Sequence, residues 1–238
     1  MGKSDTATPR ERYRAQVRTE IKEHAWQQIA TAGASALSLN AIAKQMGVSG
    51  PALYRYFAGR DELITELIRD AYRSLADTLG AAAAEGADLS GLAHVLRGWA
   101  LADPHRYFLL YGTPVPGYHA PDDTTAISSE IMATLLTACA ALTQGAHGAH
   151  GAHGAQGAQG AQGAQGAQDA PEAPFAAHLE KHRAWAGDHP APPAALHLAM
   201  SFWTRMHGVL SLELAGHFTG MGFDPDRLFA AELDALLP

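Results

Sequence analysis

The chain has a single cysteine and no apolar run long enough to suggest a membrane anchor. Cys139 cannot form an internal disulfide, and no basic start followed by an apolar stretch marks residues 1–30 as a secretory signal. These absences predict a cytoplasmic protein. The most apolar run, residues 133–142, is shorter than the roughly 20 residues that span a bilayer. We therefore expect no membrane partner.

Charged residues are also scarce, at 17% of the 238 residues, and the formal net charge is −7. A negative protein is a poor partner for a polyanion, but the charges are unevenly distributed. Residues 1–75 hold 11 Lys or Arg against 8 Asp or Glu, whereas residues 76–238 hold 6 against 16. The positive excess near the N-terminus favours contact with phosphates there. Residues 1–12, with Arg10 and Arg12, are predicted to form a flexible basic arm that Arg14 and Arg18 extend.

Motifs typical of enzymes are missing as well. The sequence has no G-x-S-x-G, no phosphate-binding loop and no paired-carboxylate motif. His147, His150 and His153 fall in a low-complexity tract, and the glutamate between His178 and His182, Glu180, is not at the position that a zinc hydrolase motif requires. The sequence predicts no enzyme, no cofactor and no metal site. A small helical hydrolase or metal-dependent catalyst is the alternative, and these histidines are its best candidates.

What the chain does have is helical periodicity throughout. Apolar residues recur at every third or fourth position over most of the sequence, and no strand-like alternation interrupts them. We predict an all-α fold of about nine helices. Residues 13–60 are assigned to an N-terminal domain and residues 61–238 to a helical-bundle domain. Eight Gly-Ala-His or Gly-Ala-Gln triplets at 145–168 lack proline, which argues against a collagen helix, and a disordered loop is predicted at 145–170.

The segment SLNAIAKQMGVSGPALYRYF, residues 38–57, fits a helix-turn-helix. Ser38 can cap the first helix, Gly47 can supply the positive φ of a tight turn, and Val48 can fill the corner. Pro51 suits the first turn of a second helix, predicted over residues 51–57. A helical hairpin that merely packs is the alternative.

Several residues of this segment are predicted to face outward and contact DNA. Arg55 can donate to guanine or phosphate, and tyrosine hydroxyls can donate to phosphate oxygens. Tyr56 could equally pack inward, and Ser38 could be only a cap. Arg60, at the next helix start, could hold another phosphate. The candidate DNA-binding residues are Ser38, Ser49, Gly50, Ala52, Tyr54, Arg55, Tyr56 and Arg60.

The pattern IAxxxGVSxxxLYxYF within residues 13–75 resembles the tetracycline-repressor-like (TetR) family. The stretch FWTRMHGVLSLELAGHF, with Trp203, His207 and Gly208, also resembles the ligand-domain subgroup named for its Trp-His-Gly motif. The resemblance implies a three-helix DNA-binding domain, a helical effector domain and a homodimer formed through the last two helices, predicted at 194–217 and 225–237. The apolar faces of these two helices could instead be internal core, and the residues concerned are Leu210, Leu214, Phe229, Leu233 and Leu236.

Aromatic and soft side chains in the predicted bundle could line a cavity for a small effector. Core packing is the alternative explanation for most of them. The candidate pocket residues are Trp99, Tyr107, Phe108, Tyr111, Trp203, Met206 and His207. The sequence thus predicts a repressor released from a palindromic operator, double-stranded DNA, by a small apolar molecule. A constitutive DNA-binding factor without a ligand is the alternative.

Overall fold

The computed structural model describes residues 8–118, 121–153 and 174–237, and it contains no strand within these ranges. Ten α-helices account for most of the described chain. This confirms the predicted all-α fold. The helices are α1 (Pro9–Ala32), α2 (Leu39–Gln45), α3 (Gly50–Leu53), α4 (Arg60–Ala84), α5 (Leu89–Ala102), α6 (Pro104–Tyr111), α7 (Asp122–His153), α8 (Pro174–Lys181), α9 (Pro193–Leu214) and α10 (Pro225–Asp234).

Helix α1 begins at Pro9, so the last residues of the predicted flexible arm are helical. The Thr8 hydroxyl accepts a hydrogen bond from the Glu11 N–H at 3.3 Å, and the Glu11 carboxylate accepts one from the Thr8 N–H at 2.7 Å. This reciprocal capping satisfies backbone donors that a helix start leaves open. The Thr8 backbone and side-chain hydrogen bonds also lower the pKa of Glu11. Residues 1–7 of the predicted arm lie outside the described residues.

The chain divides into two compact units that differ from the predicted boundary at residue 60. The first, the N-terminal unit, comprises the chain up to Tyr72 together with Asp103–Thr124. The second, the C-terminal unit, comprises Arg73–Ala102 and the chain from Thr125 onward. Helix α4 contributes residues to both, and α6 belongs to the N-terminal unit.

The core of the N-terminal unit is formed by apolar side chains of α1, α2, α3 and α4. Ile21, Ile42 and Phe57 are fully buried, and burying an aliphatic or aromatic side chain of this size stabilises a fold by roughly 1.5–3 kcal/mol. The segment after α6 packs on the same core, and the Tyr118 hydroxyl lies 2.9 Å from that of Thr65. Residues 103–118 therefore form part of the N-terminal unit.

In the C-terminal unit, α9 packs against both α8 and α10. Leu210, Phe229 and Leu233 are buried within one chain, so these three belong to the internal core. Arg97 of α5 joins this region, because its guanidinium pairs with Glu213 at 2.7 Å and with Asp226 at 2.9 Å. The last two helices are thus fixed to the bundle by packing and by ion pairs.

Helix α7 continues through His153, into the segment predicted as a loop. The first three triplets of the repeat are therefore helical, which corrects the disordered loop predicted there. Alanine is the best helix former, and it offsets glycines that cost about 1 kcal/mol each. The rest of the repeat, residues 154–168, lies outside the described residues. By length and composition alone, the stretch Thr124–Gly145 could cross a membrane, and a core helix of a soluble protein passes the same test.

Candidate DNA interface

The turn between α2 and α3 has the backbone geometry that the sequence predicts. The Ser38 hydroxyl accepts from the Ala41 N–H at 3.4 Å, which makes Ser38 the N-cap of α2. Gly47 has a φ of 68°, in the region that favours glycine. Val48 does not fill the corner, because it is 42% exposed. The Val48 backbone N–H closes the turn instead by donating to the Ala43 carbonyl at 3.0 Å.

Helix α3 is shorter than the predicted second helix. It spans only Gly50–Leu53, and the chain then turns tightly, with the Tyr56 N–H donating to the Leu53 carbonyl at 2.8 Å. We call residues 49–56 the exposed turn. Because α3 has a single helical turn, its own hydrogen bonds contribute little to its stability. Contacts from other helices must hold the exposed turn in place.

Two arginines of α1 supply those contacts. Arg14 donates to the carbonyl of Arg55 at 3.3 Å, and Arg18 donates to the carbonyl of Tyr56. The Arg18 guanidinium also lies 4.1 Å from the centroid of the Phe57 ring. The sequence suggested phosphate contacts or a solvated arm for both arginines. In the structure, both are bound to the backbone at the end of the exposed turn.

An acidic residue of α4 completes this arrangement. Glu66 pairs with Arg18 at 3.1 Å and with Arg69 at 2.7 Å. Partial burial raises the pKa of Glu66, but hydrogen bonds from Arg69 and Arg18 and their positive charges outweigh it, so the net pKa lies below the ordinary value. The carboxylate is therefore ionised at neutral pH and links α1 to α4 beneath the exposed turn.

The side chains of the exposed turn separate into two groups. Leu53 is buried and anchors α3, whereas Tyr54 is 49% exposed and Ser49 and Arg55 are also exposed. Gly50, Ala52 and Tyr56 are half-buried, and the Arg14 guanidinium lies 5.9 Å from the centroid of the Tyr56 ring. The structure thus presents a phenol and a guanidinium to solvent side by side, with small residues at the helix start.

Arg60 has protein partners of its own. Its guanidinium donates to the carbonyls of Ala34 and Ser35, at 3.1 and 3.3 Å, in the short 3-10 helix Ala34–Ala36. These bonds connect the start of α4 to the 3-10 helix that follows α1. Because Nη2 of Arg60 already donates to two carbonyls, the predicted phosphate contact would have to use the other N–H groups of the guanidinium.

The candidate pocket residues are distributed over both units. Tyr107, Phe108 and Tyr111 lie on α6 in the N-terminal unit, where the rings of Tyr107 and Tyr111 are 5.3 Å apart. Trp99 belongs to the C-terminal unit, and its indole N–H donates to Ser74 at 3.1 Å. Trp203, Met206 and His207 lie on α9 in the same unit, with the Trp203 and His207 rings 4.1 Å apart. Tyr107 and Met206 are fully buried.

A helix-turn-helix whose exposed turn presents tyrosine and arginine, supported by a core packed from α1 to α4, is typical of a DNA-binding regulator. Comparison with known families agrees. The family model "Bacterial regulatory proteins, tetR family" matches residues 21–67, and the model "Tetracyclin repressor-like, C-terminal domain" matches residues 89–236. The chain belongs to the TetR family. It carries the helix-turn-helix of that family of bacterial regulatory proteins.

Individual relatives support the same assignment. The chain is 43% identical over 135 residues to the HTH-type transcriptional regulators Rv1816 of Mycobacterium tuberculosis and Mb1846 of Mycobacterium bovis. The match covers 54% of this chain and 58% of each relative, so the chain spans little more than half of their length. A crystal structure of SCO4313 is 66% identical, with a TM-score of 0.79 over 97% of this chain and 99% of that one. A protein of unknown function from Rhodococcus sp. RHA1 shares only the fold, at 19% identity and a TM-score of 0.61 over 99% of this chain and 97% of that one.

Proposed function

We propose that this regulator is a cytoplasmic, homodimeric repressor that binds a palindromic operator and is released by a small, mostly apolar molecule. The observation that carries the proposal is the exposed turn, where Tyr54 and Arg55 face solvent. Gly50 and Ala52 at its start are small enough to let the backbone approach base edges. In this proposal, Arg55 reads a guanine or holds a phosphate, and the Tyr54 hydroxyl donates to a phosphate oxygen.

A dimer would place two exposed turns in successive major grooves, about 34 Å apart. A ligand that prefers a conformer with a different spacing would lower operator affinity. The reduction is limited by the difference between the ligand's affinities for the two conformers. We also propose that the C-terminal domain belongs to the subgroup named for its Trp-His-Gly motif, and the contact between Trp203 and His207 supports this.

Alanine substitution in the exposed turn tests DNA reading. The operator is first recovered by sequencing the DNA fragments that the purified protein retains. Tyr54→Ala and Arg55→Ala are each expected to weaken operator binding about tenfold in a gel-shift titration, because each removes a charged or hydroxyl donor to DNA.

Two exposed residues outside the exposed turn provide matched controls. Tyr13, which is 64% exposed on α1, and Arg227, on α10, can each be replaced by alanine. Both control variants should bind the operator as the wild type does. If Tyr54→Ala and Arg55→Ala also bind normally, the exposed turn does not read DNA and the proposal is wrong.

The proposed dimer requires an apolar face beyond the internal core. Leu212 on α9 is 46% exposed, and Met221 and Phe223 in the following segment are 63% and 42% exposed. Leu212→Glu is expected to shift the protein towards monomers in light scattering, because an interface would have to bury an unpaired carboxylate. Leu101→Glu is the control, since Leu101 is 40% exposed on α5. Equal masses for the wild type and Leu212→Glu would exclude this face from the dimer.

A further inference from the structure

The C-terminal unit contains an open cavity of about 950 Å³ that the residues discussed so far do not line. It lies between the end of α4, the start of α5 and the middle of α7. Its volume falls within the range of about 300–1,000 Å³ that is usual for small-molecule sites. The cavity is large enough for a ligand of effector size.

Small residues from two helices face this cavity. Gly80 and Ala83 come from α4, and Ala138 and Ala141 come from α7. Small side chains ordinarily allow two helices to pack closely, because the distance between helix axes depends on the side chains at the contact. Here the helices leave the space open instead. The side chains of the described ranges do not fill the apolar volume between them.

The polar groups of the cavity favour an uncharged ligand. Among the residues that the structure describes, Asp88 is the only charged one lining the cavity, and its carboxylate already accepts a hydrogen bond from the Gly91 N–H at 2.8 Å. No described lysine, arginine or histidine lines the cavity. The Thr134 hydroxyl donates to the Glu130 carbonyl at 3.1 Å, so its oxygen can still accept a hydrogen bond from a ligand.

We propose that this cavity binds an uncharged, mostly aliphatic molecule that carries a hydrogen-bond donor, such as a long-chain alcohol. The corresponding carboxylate is rejected, because its charge would enter an apolar cleft that offers no cation and would lie close to Asp88. The part of the chain that the structure describes contributes no aromatic side chain to the lining, which favours an aliphatic chain over a planar ring. The role of this ligand as an effector rests on the proposed function, whereas its binding does not.

Calorimetry with the full chain tests this assignment. Octanol and octanoate have the same chain length and differ in charge, and octanol is expected to bind at least about tenfold more tightly at neutral pH. Asp88→Asn retains a side chain that caps helices well, and it is expected to reduce the preference for octanol to roughly threefold. Equal or tighter binding of octanoate by the wild type would overturn the proposal.

Neighbouring alanines at the end of α4 give a matched pair of variants. Ala83 lines the cavity, whereas Ala84 does not, and both residues are exposed. Ala83→Trp is expected to weaken octanol binding about tenfold by filling the space, while Ala84→Trp leaves it unchanged. If the two variants bind octanol equally, the cavity is not the binding site.

A gel-shift titration with octanol separates this inference from the proposed function. If Ala83→Trp weakens octanol binding but octanol leaves operator affinity unchanged, the cavity binds octanol and is not an effector site. Operator binding that follows the predictions for Tyr54 and Arg55, with no octanol bound, would leave the DNA-binding proposal standing and overturn the cavity assignment.

Discussion

Arg18→Ala is expected to lower the free energy of unfolding by about 3 kcal/mol and to weaken operator binding at temperatures where the protein is still folded. The substitution removes a charged hydrogen bond to the Tyr56 carbonyl, a cation–π contact with Phe57 and an ion pair with Glu66. Each such contact contributes about 1–2 kcal/mol when partly buried. Urea unfolding and gel-shift titration measure the two effects.

The adjacent ion pair between α1 and α4 is a close control. Lys22 pairs with Asp70 at 2.6 Å, and the described hydrogen bonds of Lys22 do not include the exposed turn. Lys22→Ala should cost no more than about 1 kcal/mol, as is usual for partly exposed pairs, and should leave operator affinity unchanged. If Arg18→Ala and Lys22→Ala have the same effects, Arg18 does not position the exposed turn.

Arg18 also illustrates a limit of prediction from sequence. The spacing of residues 38–57 predicted the helix-turn-helix, the Ser38 cap and the positive φ of Gly47, because these depend on residues within a few positions of one another. The end of α3 at Leu53 could not be predicted in this way. It depends on carbonyl contacts from Arg14 and Arg18, which are about 40 residues away in the chain.

Helix starts likewise depend on residues close together in the sequence. Asp103 with Pro104 and Asp224 with Pro225 start α6 and α10, and these starts depend on neighbouring residues because each aspartate caps the helix that follows it. The start of α1 also depends on neighbouring residues. Its sequence signal is the Thr8-x-x-Glu11 spacing of a capping box, which the prediction of a flexible arm overlooked. The open cavity had no such signal, because glycine, alanine and threonine on separate helices show no pattern of a pocket until the helices are packed.

A pH-dependent loss of stability is expected from His207. Burial lowers the pKa of this imidazole from 6.5 to about 4. Below pH 6.5, the unfolded chain binds a proton at His207 that the folded chain does not, so stability falls as the pH falls from 6.5 towards 4. A shift of this size corresponds to about 3 kcal/mol over that range. Urea unfolding across this pH range measures the loss.

A variant without this histidine separates its effect on stability from that of the carboxylates, which are protonated in the same pH range. His207→Leu places an apolar side chain in the half-buried position and removes the titrating group. Between pH 6.5 and about 4, the free energy of unfolding of this variant should fall by about 3 kcal/mol less than that of the wild type. His217→Leu, at an exposed position just after α9, should follow the wild type. Parallel pH profiles for the wild type and His207→Leu would mean that His207 is as accessible to protons in the folded protein as in the unfolded chain, and therefore that the α9 surface around Trp203 opens to water.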